Sequence, residues 1–290
     1  MKSLNRIRCF LSDLIDRLVN FFKWPFAFGT VFYLPSALYE CWPSVLHLIR
    51  STSLVPFLLG IIVFWFVNKL MRKTWFWQCL AVLEHETVHL VVGLATLKIP
   101  NRWRVSSQGG HVGFDRGNNW IITISPYIFP LIPFMTFVTI QTFAAFSPLR
   151  SWVLPAAMGF SMAMHLAFTR TESHFQQPDI QRVGWLFALL VGPTLHLIFL
   201  AVVLILSSSN TFSGAGGPIA NLFQRVGQNG FVAWKSVAIH GSEFIFENDG
   251  SEDRFADPSL KYPKDPHTKS AASATSGIRF ERDKTARGGK

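Results

Sequence analysis

Between residues 26 and 206 the chain is a succession of apolar stretches, at 26–49, 53–71, 75–97, 120–146, 152–168 and 184–206. A helix needs about 20 residues to cross the roughly 30 Å hydrocarbon core of a bilayer, and these stretches lie near that length. Inside a bilayer every backbone N–H and C=O must be paired within the protein, which leaves helices as the natural state of such stretches. The expected fold is therefore an all-α polytopic membrane protein with about six transmembrane helices. The first stretch is the most interrupted, by Pro35 and Pro43, with Glu40 and His47 inside it.

Composition agrees. Hydrophobic residues make up 49% of the chain and charged residues 15%, against roughly 25% charged in an average soluble domain. That excludes an ordinary soluble enzyme, and the apolar content excludes a disordered chain. The net charge is +10, but the basic residues are scattered between apolar runs. That pattern fits the flanks of membrane spans and a lipid bilayer as partner, and does not fit a nucleic-acid face. Cys9, Cys41 and Cys79 show no CxxC spacing, so no disulfide framework or cysteine metal site is implied. Nothing in the pattern indicates the oligomeric state.

Three segments lie outside this series. In residues 1–25, Leu4, Ile7, Leu11, Leu14, Leu18 and Phe21 recur at helical spacing, with Asp13, Asp16 and Arg17 between them. This is an amphipathic helix, either lying in the membrane interface or packed outside it. Asp13, Asp16 and Arg17 also interrupt any secretory h-region. Residues 98–119 contain Gly109-Gly110 between short alternating runs, which reads as a β-hairpin or else a polar linker. Residues 207–290, rich in Ser, Gly, Asp, Lys and Pro, read as a mostly disordered polar tail.

The chemistry is concentrated in the third stretch, which carries His85-Glu86-Thr87-Val88-His89. Residues four apart share one helical face, so both imidazoles can reach one ion. Glu86 is then the candidate general base and His85 and His89 the candidate metal ligands. Two imidazoles and a carboxylate form an open Zn²⁺ site that keeps a position for water, with one Zn²⁺ per chain. Ionisable groups inside an apolar span point to function by default. Two spans separate residues 98–119 from 169–183, so these two loops share one membrane side, near His89. That side offers Asp179, next to Pro178, as the preferred third ligand, then His174, then His165. His111 in the hairpin is a candidate substrate contact beside Gly109 and Gly110.

A multi-span chain with H-E-x-x-H inside a span, a Gly-containing hairpin after it and a downstream Pro-Asp resembles the site-2 protease family of intramembrane zinc metalloproteases, in its short bacterial branch. The resemblance covers roughly residues 75–205. The family's third ligand is an Asp in N-P-D-G or L-D-G; Gln177-Pro178-Asp179-Ile180 keeps Pro-Asp and departs at both flanks. The resemblance implies hydrolysis of peptide bonds in or beside membrane spans. It further implies a re-entrant hairpin at 104–114, a multi-pass location in a bacterial inner membrane, and a membrane protein or membrane-proximal peptide as substrate. No PDZ-like insertion is visible. Two other readings stand beside it. One is a membrane di-iron hydroxylase or desaturase, which needs more histidine boxes than the single His85-x-x-x-His89. The other is a catalytically inactive membrane scaffold that retains the motif.

Overall fold

The computed structural model describes residues 2–143, 150–173, 176–209 and 211–249. The chain forms two units, residues 1–241 and 242–290, and only 242–249 of the second are described. The described residues are mostly helical. In order they form α1 (Lys2–Phe21), α2 (Lys23–Arg50), α3 (Leu54–Met71), α4 (Trp75–Ala95), β1 (Pro100–Ser106), β2 (Gly109–Phe114) and α5 (Trp120–Ile124). A 3-10 turn (Ser125–Tyr127) leads to α6 (Leu131–Phe143), α7 (Arg150–Glu172), α8 (Pro178–Val183), α9 (Trp185–Ser209) and α10 (Phe212–Asp249).

Three helices are long and apolar enough to cross a membrane: α3, α7 from Ser151, and α9. A fourth span exists if α5 with its 3-10 turn and α6 count as one, bent by 73°. The expected span at 120–146, in which the prolines at 126, 130 and 133 predict a kink, is thus sharply bent. Pro126 and Pro130 lack the N–H a helix needs and flank the break. α2 and α4 fall short of that apolar standard. α4 carries Glu84, His85, Glu86 and His89 in its middle, and α2 carries Glu40 and two interior prolines, Pro35 and Pro43.

The helices pack through small residues and shared apolar clusters. A Cβ on Gly60 of α3 would collide with the Ala156 carbonyl of α7, and one on Gly159 with the Phe57 carbonyl. Glycine at both positions lets the two backbones touch, as small residues do between membrane helices. α9 lies along α2, where Thr30 donates to the Leu190 carbonyl at 3.0 Å and Thr194 to the Thr30 carbonyl at 3.0 Å. Ala37, Phe57, Phe137, Leu154, Met158 and Val203 belong to the main buried cluster that joins these helices.

The segment after α4 is a hairpin. β1 and β2 pair antiparallel, with Arg104 opposite His111 and Ser106 opposite Gly109. The turn is Ser107-Gln108, and Gly109-Gly110 opens β2 where the sequence suggested the turn itself. Gly109 has φ +135°, which favours glycine. The hairpin lies on α4, with the Phe114 ring seated where a Cβ on Gly93 would be.

α1 docks by its polar face. Arg8 pairs with Asp115 at 2.9 Å and donates to the Leu97 carbonyl. The fully buried Lys98 ammonium pairs with Asp16 at 2.6 Å. Asn119 donates to Asp16, Trp120 to the Val19 carbonyl, and Arg116 pairs with Asp13. The apolar residues Ile7, Phe10, Leu11, Leu14 and Leu18 face outward and are exposed.

The expectation of a mostly disordered tail is corrected over 212–249, which is α10. Ala215, Leu222 and Val226 are buried, with Ile219 packed against the same cluster. This is an apolar stripe at helical spacing hidden among Gly and Ser. Ser36 donates to the Val226 carbonyl, Asn229 donates to Glu40, and a Cβ on Gly230 would strike the Tyr33 ring. Residues 250–290 lie outside the described residues.

Candidate metal centre

Helical spacing in α4 sets His85 and His89 side by side, ring centroids 4.9 Å apart. α8 brings the third group. Gln177 precedes the helix in an extended conformation, Pro178 begins it, and Asp179 occupies its first turn. The Asp179 Oδ2 lies 3.4 Å from His85 Nε2 and 3.0 Å from His89 Nε2. One ligand atom from each of the three residues lies within 4.8 Å of the others. Among the described residues this is the one group of three or more such side chains that could hold a metal ion.

The hydrogen bonding of the imidazoles tests whether a cation fits. His89 Nδ1 is 2.7 Å from the Ile122 carbonyl, an acceptor only, so Nδ1 carries the proton and donates. In the neutral ring Nε2 then presents a lone pair to the Asp179 carboxylate. Two lone pairs facing at 3.0 Å repel unless a proton or a metal ion lies between them. A tetrahedral Zn²⁺ with bonds of about 2.0–2.1 Å sets its ligand atoms about 3.3 Å apart, close to the 3.4 and 3.0 Å observed. The Nδ1–H to carbonyl bond is also the usual device for orienting a metal-binding histidine. Burial pushes the Asp179 carboxyl up, but hydrogen bonds and charge from His85 and His89 outweigh it and hold the group well below the usual carboxylate range. Asp179 is therefore an anion.

A cavity of about 370 Å³ opens on this cluster. Glu86, Gly110, His111, Glu172 and Arg182 line it together with the three residues above. Glu86 is buried, and a Cβ on Gly110 would lie 2.5 Å from Glu86 Cγ. The hairpin strand thus passes directly over the Glu86 side chain. Gly109, Gly110 and His111 all border the cavity. A second cavity, of about 720 Å³, shares Val82, Ser107 and Glu172 with the first and reaches Arg72 and Arg170.

The alternative third ligands fare differently. His165 Nδ1 lies 2.9 Å from Glu84 Oε1, and its ring stacks on His196 at 5.8 Å. It supports α4 from behind and does not join the cluster. His174 lies outside the described residues. Tyr127, at the end of the 3-10 turn, packs edge-on against His85 with centroids 5.2 Å apart. No periodicity or motif signalled it, because it reaches the site through the break between α5 and α6. Comparison with protein-family models, with curated proteins and with solved structures finds no match.

Proposed function

We propose that this chain is a membrane-embedded zinc endopeptidase of the site-2 protease kind. In this reading His85, His89 and Asp179 hold one Zn²⁺ and Glu86 is the general base. The observation that carries it is the convergence of two α4 imidazoles and the α8 carboxylate, one imidazole held by a carbonyl in the tautomer a metal requires. When bound, Zn²⁺ supplies a Lewis acid that polarises a carbonyl and brings the pKa of water towards about 7.

The chain's own residues account for the remaining tasks. Glu86 borders the same cavity and can take the proton of the attacking water, then pass it to the leaving amine. The β2 backbone beside Glu86 offers an extended partner to a substrate strand. A substrate helix must unwind there, because helical carbonyls are internally bonded. The outward apolar face of α1 supports a lipid-facing position for that helix. Counting α2 and α4 as spans returns the six-span arrangement, in a bacterial inner membrane, with membrane proteins or membrane-proximal peptides as substrates.

The test compares wild-type protein with Glu86→Gln. Both are expected to bind about one zinc per chain by elemental analysis, and fragments of membrane proteins should accumulate only in cells making the wild type. Equal fragments from both would refute the mechanism. Zinc without fragments in either would favour an inactive scaffold, and two irons per chain an oxidative enzyme.

A further inference from the structure

The cavity of about 720 Å³ adjoins the metal cavity through Val82, Ser107 and Glu172, which line both. Part of its wall is apolar. Trp77 and Phe168 are buried there, with ring centroids 5.6 Å apart. The cavity also holds donors with no acceptor. Arg72 caps the C-terminus of α3, and Arg170 lies in the last turn of α7. Both line the cavity, both are exposed, and neither guanidinium makes a hydrogen bond or ion pair among the described residues. Asn68 adds an amide. The Trp77 indole N–H can only donate, and it meets Asn68 Oδ1 at 3.0 Å, so the Asn68 amide N–H groups stay unused among the described residues. Glu172 is the one carboxylate in this lining, and it accepts from Gln177 at 2.8 Å. Apolar walls with a few polar groups are the usual make-up of a binding site, and the unpaired charges here select an anion.

We propose that Arg72 and Arg170 form a specificity site that holds an acidic side chain of the substrate, three or four residues from the scissile bond. The inference rests on the peptidase reading and names a feature of its substrate. The register follows from α4. Trp77 precedes His85 by eight residues, about 12 Å along a helix. An extended peptide advances about 3.3 Å per residue, so a strand seated at the metal reaches the Trp77 end of the second cavity within three or four residues. The path is continuous. A strand beside β2 that runs past its Gly109 end meets Ser107, which borders both cavities. A carboxylate suits the end point, because a guanidinium presents paired N–H donors that match its two oxygens. Continuity with the metal cavity favours a peptide over a lipid phosphate as the occupant. Arg72 and Arg170 also complement the C-terminal ends of their helices, a role that steadies the fold but does not tell one peptide from another.

The test uses full-length zinc-loaded protein in phosphatidylcholine nanodiscs. The probes are acetylated, amidated apolar decapeptides with a central Leu-Leu phosphinic isostere, which is not cleaved and seats the chain on the metal. One Glu or one Gln is placed third or fourth from the isostere, on either side. At one of these positions Glu is expected to bind about 10-fold more tightly than Gln, the lower range for a charge-assisted hydrogen bond because both guanidiniums are exposed. Combining Arg72→Gln with Arg170→Gln should erase that preference and leave zinc content and the Kd of the Gln peptide unchanged. Lys73→Gln, which removes a neighbouring cation outside the cavity lining, should preserve it. Absence of a Glu preference at every position overturns the proposal. So does a preference that survives loss of both arginines, or one that Lys73→Gln also erases. If phosphatidylglycerol nanodiscs abolish the preference, the arginines hold a lipid phosphate and the proposal falls. Cleavage of the amide form of the Glu peptide is measured separately. If wild type does not cleave it, the peptidase reading fails, and the Glu preference still decides the role of the arginines.

Discussion

Replacing Gly110 with alanine tests the relation between the hairpin and Glu86, the proposed base. The new Cβ would lie 2.5 Å from Glu86 Cγ, 2.7 Å from Glu86 Oε1 and 2.7 Å from Val82 Cγ1, where ordinary contact begins at 3.4 Å. The glutamate side chain or the strand must therefore retreat by roughly 1 Å, a misplacement that typically costs about 100-fold in rate. Overpacking of this kind also destabilises by about 1–3 kcal/mol. His85, His89 and Asp179, the proposed zinc ligands, are not among the atoms struck, so on the proposed function zinc content should hold while peptide cleavage falls about 100-fold. Gly109→Ala is the matched control. Its Cβ meets nothing within 4 Å, so it strains the turn at φ +135° without touching Glu86. It is expected to lower thermal stability by about 1–3 kcal/mol and to leave kcat within a few-fold. Full activity in Gly110→Ala, or loss of zinc from it, would refute the view that the strand sets the position of Glu86.

Three further outcomes follow from the packing. Lys98 has a side chain with 0% exposure and Asp16 one with 22%, so Asp16→Asn strands a buried cation and should cost about 3 kcal/mol. Lys98→Met leaves Asp16 with Asn119 and water, and chemical denaturation should show a smaller loss. For Asp115, burial pushes the carboxyl up, but the Arg8 and Ile99 hydrogen bonds and the Arg8 and Arg116 charges outweigh it, so its pKa is lowered on folding. Its contribution is present above the unfolded value near 3.9 and is lost as pH falls through the lower folded value. The group is partly exposed, so less than about 1 kcal/mol is at stake. Protection factors of α1 amides, corrected for the intrinsic pH dependence of exchange, should fall below about pH 4 in wild type and fall less in Asp115→Asn. Gly159→Val drives a side chain into the Phe57 backbone, and no folded protein should be recovered from membranes by gel filtration.

The parts of this molecule that were legible in advance are those set by short-range geometry. The i, i+4 spacing of His85 and His89 and the Pro-Asp pair before the last long span led to three side chains that do converge. The hairpin was legible through its glycines, although Gly110 proved to serve a close approach to Glu86 and not the turn. What was not legible depends on partners distant in sequence. α10 looked structureless because a stripe of only Ala215, Ile219, Leu222 and Val226 must be recognised through many small residues. Its burial comes from α2, some 190 positions away. The role of His165 was open because a lone histidine on an apolar helix does not reveal that it faces Glu84. The prolines at 126, 130 and 133 signalled a kink in the span at 120–146, but not its extent, since hydropathy averages over a break that bends the segment by 73°.

The scarcity of acids in the first 206 residues bears on the choice of base. There are eight: Asp13, Asp16, Glu40, Glu84, Glu86, Asp115, Glu172 and Asp179. Desolvating a carboxylate is costly, so each should be retained only where something offsets that cost. Asp13, Asp16 and Asp115 clamp α1 to Arg116, Lys98 and Arg8. Glu40 receives Asn229 and Arg225, Glu84 meets His165, and Glu172 accepts from Gln177. Asp179 faces His85 and His89. Glu86 alone makes no hydrogen bond or ion pair among the described residues, although it is only 6% exposed. A structural role explains the other carboxylates without appeal to chemistry. For Glu86 it explains nothing, because burial without a partner works against folding. A base that must accept a proton from water in the cavity is the role that uses an acceptor left free. Glu86→Leu, which keeps the bulk and removes the charge, should therefore raise the thermal midpoint while ending cleavage. A lower midpoint for Glu86→Leu than for wild type would mean that the carboxylate holds the fold together, and the argument from its lack of partners would fail.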